Sequence, residues 1–124
     1  MLDYSIKLPE GILVLTPGAP LTKEDFSGVT SVVDNYLADH PRLRGVLIRA
    51  KSFPGWEGFA GFTAHMRFVR DHHHDIERLA LVTDSHLAGV GELLGKHFTS
   101  AEVRHFAYAD DEKAMAWLLE PVKV

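Results

Sequence analysis

The short apolar run RGVLIRA, at residues 44–50, decides the fold. A run of this length and character is typical of a strand that is covered on both faces of a sheet. A similar run, RLALVTD, occupies residues 78–84, and AEVRHFAY at residues 101–108 supplies a last strand. Strands that alternate with helices are joined by right-handed parallel crossovers. These runs therefore predict the core of a parallel sheet, with helices between its strands.

The predicted helix before the first buried run covers residues 22–40. Thr22 is a candidate N-cap with Asp25 in the first turn, and both residue types suit the start of a helix. The residue before a proline avoids helical backbone, so His40 is expected to end the helix. Apolar residues at helical spacing are expected to form its inner face: Phe26, Val29, Val33, Tyr36 and Leu37.

Three further helices are predicted from the same spacing: residues 59–71, a segment capped by Asp84 or Ser85 that runs through Phe98, and a last one opened by Asp110 and Asp111. The start of the chain predicts an antiparallel hairpin, because LDYSIKL (2–8) alternates and the turn PEG (9–11) separates it from the apolar ILVLTPG (12–18). The expected fold class is α/β. A single domain over residues 1–124 has a mixed, mostly parallel sheet, an N-terminal antiparallel hairpin and four helices.

Composition excludes several classes of function. The chain has no cysteine, which excludes disulfides, thiolate catalysis and zinc–thiolate sites. The net charge is −4 and no run concentrates lysine and arginine, so we expect no nucleic-acid partner. No apolar run approaches the roughly 18 residues of a membrane span, and no signal-peptide pattern opens the chain. We therefore expect a cytoplasmic location.

The segment SFPGWEGFAGF, at residues 52–62, is the candidate binding site. It follows the carboxyl end of a central strand, where open α/β sheets place ligand crevices. Two interpretations stay open: Phe59, Phe62 and Met66 are core residues at helical spacing, or the segment forms a ligand pocket or a membrane- or partner-facing patch. The candidate ligand-binding residues are Phe53, Trp56, Phe59, Phe62 and Met66, with Phe53 and Trp56 the stronger because they lie in the loop.

The tract His72, His73 and His74 raises the question of a metal site. Neighbouring residues on a helix project about 100° apart, so three consecutive histidines cannot converge on one ion there. A polar turn at a helix C-terminus suits histidine, and a pH-sensitive surface is the second interpretation. We expect no metal at this tract.

Catalytic motifs are incomplete in this sequence. Asp84, Ser85 and His86 have the residue types of a hydrolase triad, but adjacent residues do not form its geometry, and no G-x-S-x-G is present. GVGELLGKHF, at residues 89–98, misses the glycine spacing of a phosphate-binding loop by one residue in either direction. We therefore expect no enzymatic activity and no cofactor.

Four motifs together carry a family resemblance: FPGWEGFAGF (53–62), HHHDIERLALVTD (72–84), AEVRHFAY (101–108) and AMAWLLE (114–120). With the order of elements, they resemble the SpoIIAA-like group, relatives of the STAS domain, and within it an uncharacterised bacterial branch. The resemblance implies the fold and no established reaction. It also implies binding of small apolar molecules or membrane surfaces. Anti-anti-sigma members are regulated at a serine that opens the helix after the third strand. Here Ser52 precedes the proline, so we expect no phosphoswitch.

Three functional hypotheses follow. The first is a non-catalytic SpoIIAA-like domain whose aromatic loop binds a small apolar or amphipathic ligand, or docks on a membrane surface as a peripheral protein. The second is a protein-interaction regulator, homodimeric or partner-binding, that uses the same apolar surface as an interface. The third is a histidine-dependent metal hydrolase.

Overall fold

Five strands form one sheet in the computed structural model, which describes residues 2–51, 55–84 and 102–120. The strands are adjacent in chain order, and β1 pairs with β2 in antiparallel fashion whereas every later neighbour is parallel. This arrangement confirms the predicted parallel core with an antiparallel hairpin at its edge. The strands are β1 (Leu2–Lys7), β2 (Ile12–Pro17), β3 (Leu43–Arg49), β4 (Ile76–Val82) and β5 (Glu102–Phe106).

Within the described residues, three helices accompany the sheet: α1 (Lys23–Leu37), α2 (Gly58–His72) and α3 (Asp111–Leu119). Short 3-10 turns lie at His73–Asp75 and Tyr108–Asp110. None of these described helices is long and apolar enough to cross a membrane. The remaining predicted helix, the one that runs through Phe98 between β4 and β5, lies outside the described residues.

Helix α1 begins as predicted and ends earlier than predicted. Thr22 is its N-cap: the Asp25 backbone N–H donates to Thr22 Oγ1 at 3.1 Å, and the Thr22 N–H donates to the Asp25 carboxylate at 2.9 Å. The helix stops at Leu37 rather than at His40, because the backbone N–H of Asp39 bonds back to the Tyr36 carbonyl oxygen in a tighter turn. The His40 ring stacks on Tyr36 and closes this end of the helix.

The two faces of the sheet carry separate apolar cores. Val46 of β3 packs into the core beneath α1, whereas the next residue, Leu47, packs on the opposite face beneath α3. This alternation explains why the middle of β3, residues 46–48, is continuously apolar, as expected of a strand covered on both faces. The first core contains Leu2, Leu13, Leu15, Leu21, Phe26, Val29, Val33, Leu43, Val46 and Ile76. The second contains Ile12, Leu47, Ala80, Val82, Ala114, Trp117 and Leu118.

Two arginines attach α3 to the sheet at the amino ends of β3 and β4. Buried Arg78 donates from Nη1 to the Trp117 carbonyl oxygen at 2.6 Å, and Arg44 donates to the carbonyl oxygens of Leu118 and Leu119. The last carbonyls of a helix have no partner within the helix and carry a partial negative charge, which a guanidinium satisfies. These contacts fix where α3 lies on its face of the sheet.

Candidate functional site

The segment that leads from β3 to α2 is held against the loop before α1. Leu21 donates its backbone N–H to the Gly55 carbonyl oxygen at 2.9 Å, and Glu57 donates to the Leu21 carbonyl oxygen at 2.8 Å. These two bonds form a parallel bridge that places Trp56 opposite Leu21. Because β2 to β5 are parallel, the segment lies at the edge of the sheet where their carboxyl ends meet, as the sequence predicted.

Four large apolar side chains are exposed here, and we call them the aromatic patch: Trp56, Phe59, Phe62 and Met66. The exposed fraction is 81 % for Phe59, 42 % for Met66, 38 % for Phe62 and 37 % for Trp56. The Trp56 and Phe62 rings meet edge to face with centroids 5.0 Å apart, and the Phe59 ring lies 6.3 Å from that of Phe62. The three rings of the patch therefore form a contiguous surface, and Met66 lies on the same side of α2, four residues after Phe62. Phe53, the fifth candidate residue, lies outside the described residues.

The interpretation of Phe59, Phe62 and Met66 as core residues is wrong, because α2 packs through a different stripe. Its inner side consists of small and aromatic residues: Gly61, Ala64, His65, Phe68 and His72. At Gly61 a β-carbon would overlap the carbonyl oxygen of Leu21, so the absence of a side chain lets α2 approach this loop closely. Helical spacing showed that one side of α2 is apolar, and that side faces outward.

His65 connects the patch to the core and was not among the predicted site residues. Its ring stacks on Phe26 of α1, with centroids 4.9 Å apart and planes inclined by 21°. The Trp56 indole N–H donates to His65 Nδ1, with Nε1 and Nδ1 2.9 Å apart. Burial lowers the pKa of His65 to about 4. The ring is therefore neutral near pH 7, with Nδ1 as the acceptor and the proton on Nε2.

His72 is buried rather than exposed, which corrects its place in the predicted histidine surface. Its Nδ1 lies 3.0 Å from the Phe68 carbonyl oxygen and its Nε2 lies 3.0 Å from Asp34 Oδ1 of α1. The helix ends at this residue, and a 3-10 turn, His73–Asp75, leads into β4. His74 is exposed, and a pH-sensitive role for it stays a prediction. Within the described residues, no group of three or more histidine, aspartate or glutamate side chains is placed to hold a metal ion.

Positive charge borders the aromatic patch along α2. Arg70 follows Met66 by four residues and so lies on the same side of the helix. Arg67, the residue after Met66, is also exposed. Arg70 forms an ion pair with Asp71, with Nε and Oδ1 3.0 Å apart, and this hydrogen bond lowers the pKa of Asp71. The helix thus carries two arginines and one aspartate in a chain whose net charge is −4.

An α/β domain with a β-hairpin at the edge of a parallel sheet, and helices on both faces, is the architecture of STAS-type domains. The family model described as SpoIIAA-like matches residues 12–119, so the chain belongs to the SpoIIAA-like family. A crystal structure of an uncharacterized protein from the DUF3478 family, with a SpoIIAA-like fold, from Shewanella loihica PV-4, superposes with a TM-score of 0.75. The two chains are 21 % identical, and the match covers 95 % of this chain and 92 % of that one, which shows the shared fold. A comparison with curated proteins found no match.

Proposed function

We propose that this chain is a non-catalytic SpoIIAA-like domain that docks on an anionic lipid surface through the aromatic patch. The observation that carries the proposal is the exposure of four large apolar side chains, Trp56 just before α2 and three on its outer side, with Phe59 81 % exposed. A contiguous exposed apolar surface is typical of a protein or membrane contact. On this proposal, the aromatic patch serves for docking and does not belong to the core.

The form of the patch favours a surface over a small enclosed ligand. Phe59 extends from the first turn of α2 and is more exposed than the other three residues of the patch. An enclosed ligand would be surrounded by inward-facing side chains, whereas an outward helix side can enter a flat interface. Burial of a phenylalanine side chain contributes about 1.5–3 kcal/mol, so Phe59 is expected to contribute most to docking.

The residues around the patch favour lipid as the surface. Trp and Phe suit the boundary between headgroups and acyl chains because their rings are large and apolar, and the indole N–H of Trp56 is already satisfied within the protein. Arg67 lies beside the patch and attracts anionic headgroups by about 1 kcal/mol near a membrane surface, and Arg70 attracts them less because it pairs with Asp71. The acidic chain as a whole would be repelled, so the charge on α2 orients the domain.

Vesicle binding tests the proposal. We expect the chain to co-sediment with vesicles of phosphatidylcholine mixed with phosphatidylserine, and less with phosphatidylcholine alone. Phe59→Ala is expected to weaken binding about tenfold. Leu8→Ala is the matched control, because Leu8 is also exposed, at 67 %, but follows β1 at the opposite edge of the sheet. Equal binding by the two variants would contradict the proposal.

A protein interface is the alternative use of the same patch. Trp56 packed against Phe62, with arginines nearby, is also a combination common at the energetic centre of protein interfaces. This alternative predicts concentration-dependent association in sedimentation velocity, and Phe59→Ala would abolish it. A monomer that binds vesicles favours the lipid proposal, and a dimer that does not bind them favours the alternative.

A further inference from the structure

We propose that His65 is the positioning residue of the aromatic patch: it accepts the indole N–H of Trp56 and so presents the indole for docking in a fixed orientation. The inference rests on the proposed function, because it assigns a role within the same surface. His65 faces the core rather than the solvent, so it would act through Trp56 and would not itself contact lipid.

The geometry supplies two restraints on Trp56. The hydrogen bond from Trp56 Nε1 to His65 Nδ1 is 2.9 Å long, and the edge of the indole meets the Phe62 ring at 86°. His65 is fixed in turn by its stacking on Phe26, which is buried in the core beneath α1. The orientation of the exposed indole is therefore set by a chain of contacts that begins in the core.

The chemistry requires a neutral acceptor at the position of Nδ1. A protonated imidazole carries hydrogen on both nitrogens and could not accept the indole N–H. The groups that face the ring, Phe26 from α1 and Trp56 from the preceding segment, are uncharged. The charged residue nearest to His65 along the chain is exposed Arg67, and Asp25, which precedes Phe26, is held in the capping box of α1. The half-buried ring stays neutral near pH 7 because its pKa is lowered to about 4.

Docking benefits from this hydrogen bond in two ways. An indole N–H that enters an apolar layer without an acceptor loses its hydrogen bond to water. The hydrogen bond from Trp56 to His65 lies within the protein, so it is kept when the indole enters that layer. A side chain that is already ordered also loses less conformational freedom on binding. His65 therefore allows Trp56 to enter the interface more deeply than an unrestrained tryptophan would.

Two variants separate the acceptor from the ring. His65→Phe keeps an aromatic ring to stack on Phe26 and removes the acceptor. His65→Asn keeps an acceptor at the same distance from the backbone and removes the ring. We expect His65→Phe to weaken binding to phosphatidylcholine–phosphatidylserine vesicles about tenfold, and His65→Asn to retain most of the binding.

Nuclear magnetic resonance of the free protein reports the hydrogen bond itself. The sequence has two tryptophans, so Trp56→Phe identifies the indole N–H signal of Trp56. In His65→Phe this signal should shift and exchange faster with water, and in His65→Asn it should stay close to that of the unchanged protein. Should His65→Phe fail to fold, His65→Gln serves instead. Glutamine carries the same amide as asparagine but one methylene farther from the backbone, so its oxygen is displaced from the position of Nδ1, and we expect His65→Gln to behave as His65→Phe would.

The outcomes distinguish the two proposals. A shifted indole signal with unchanged vesicle binding would overturn the positioning role and leave the lipid proposal intact. An indole signal that does not respond to either His65→Phe or His65→Gln would overturn the hydrogen bond. Vesicle binding that Phe59→Ala does not alter would overturn the lipid proposal, whatever the indole signal shows.

Discussion

At the scale of single residues, the histidines of α2 differ in what surrounds them. His65 stacks on Phe26 and accepts from an indole, whereas His72 lies between a carbonyl oxygen and a carboxylate. The sequence predicted neither environment, because each depends on residues far away in the chain, such as Asp34. The N-cap at Thr22 was predicted correctly, because its partner Asp25 is three residues away.

The lowered pKa of His65 predicts how stability depends on pH. The unfolded chain binds a proton at His65 as the pH falls below the ordinary value of 6.5, whereas the folded protein does so only near a pKa of about 4. The unfolded state therefore binds more protons between these values, and the free energy of unfolding falls as the pH falls through this window. Urea unfolding across the window tests this. His65→Asn, which has no titrating group there, should show the smaller pH dependence, and equal slopes would contradict the prediction.

Gly11 offers a second test at this scale. Its φ of +75° lies in the region that favours glycine, and a β-carbon there would overlap the Tyr36 hydroxyl. Gly55 has a φ of +87° with nothing within 4 Å of such a carbon. Gly55→Ala should therefore cost about 1–2 kcal/mol from backbone conformation alone. Gly11→Ala should cost more than that in urea unfolding, and similar losses would argue against the overlap.

At the scale of elements, α2 shows what hydrophobic spacing can and cannot predict. Its helical spacing was recognised, and the helix was predicted within one residue of each end. The direction that its apolar side faces was not, because spacing reports that one side is apolar and not what covers it. Gly61 and Ala64 were the sequence signal that could have identified the inner side of α2, since small residues allow close packing.

Gly61→Ala gives a test in which two effects have opposite signs. Replacement of glycine by alanine within a helix adds about 1 kcal/mol of stability when the site is open. At Gly61 the added carbon would meet the Leu21 carbonyl oxygen, so we expect the variant to be less stable than the unchanged protein. Urea unfolding decides the sign. A gain in stability would show that α2 does not need this close approach.

At the scale of the whole molecule, the sequence predicted the sheet correctly because both faces of β3 and β4 are apolar and the strands alternate with helices. The parallel order follows from the handedness of the crossovers rather than from any single residue. The candidate site was predicted as five residues of one segment, four of which form the aromatic patch. The residues of the aromatic patch were identified, but their exposure depends on how α2 packs, which is a tertiary property.

The attachment of α3 gives a prediction at the same scale. Arg78 donates to the Trp117 carbonyl oxygen and lies over the Trp117 ring, 5.1 Å from its centroid. Arg78→Met removes the charge and the donor while keeping a long side chain, and we expect a loss of about 1.5–3 kcal/mol in the free energy of unfolding. Lys113→Met is the control, because it removes an exposed charge from α3 itself. Its free energy of unfolding should stay within about 0.5 kcal/mol of that of the unchanged protein.

The two arginines that attach α3 lie at one end of the parallel strands, and the aromatic patch lies at the other. Arg44 and Arg78 hold the end of α3 where β3 and β4 begin, whereas the patch follows the point where β3 finishes. A substitution at one end therefore does not remove the contacts described at the other end. A lineage could exchange the segment before α2 for one with a different recognition surface, and the framework that carries it would remain assembled throughout.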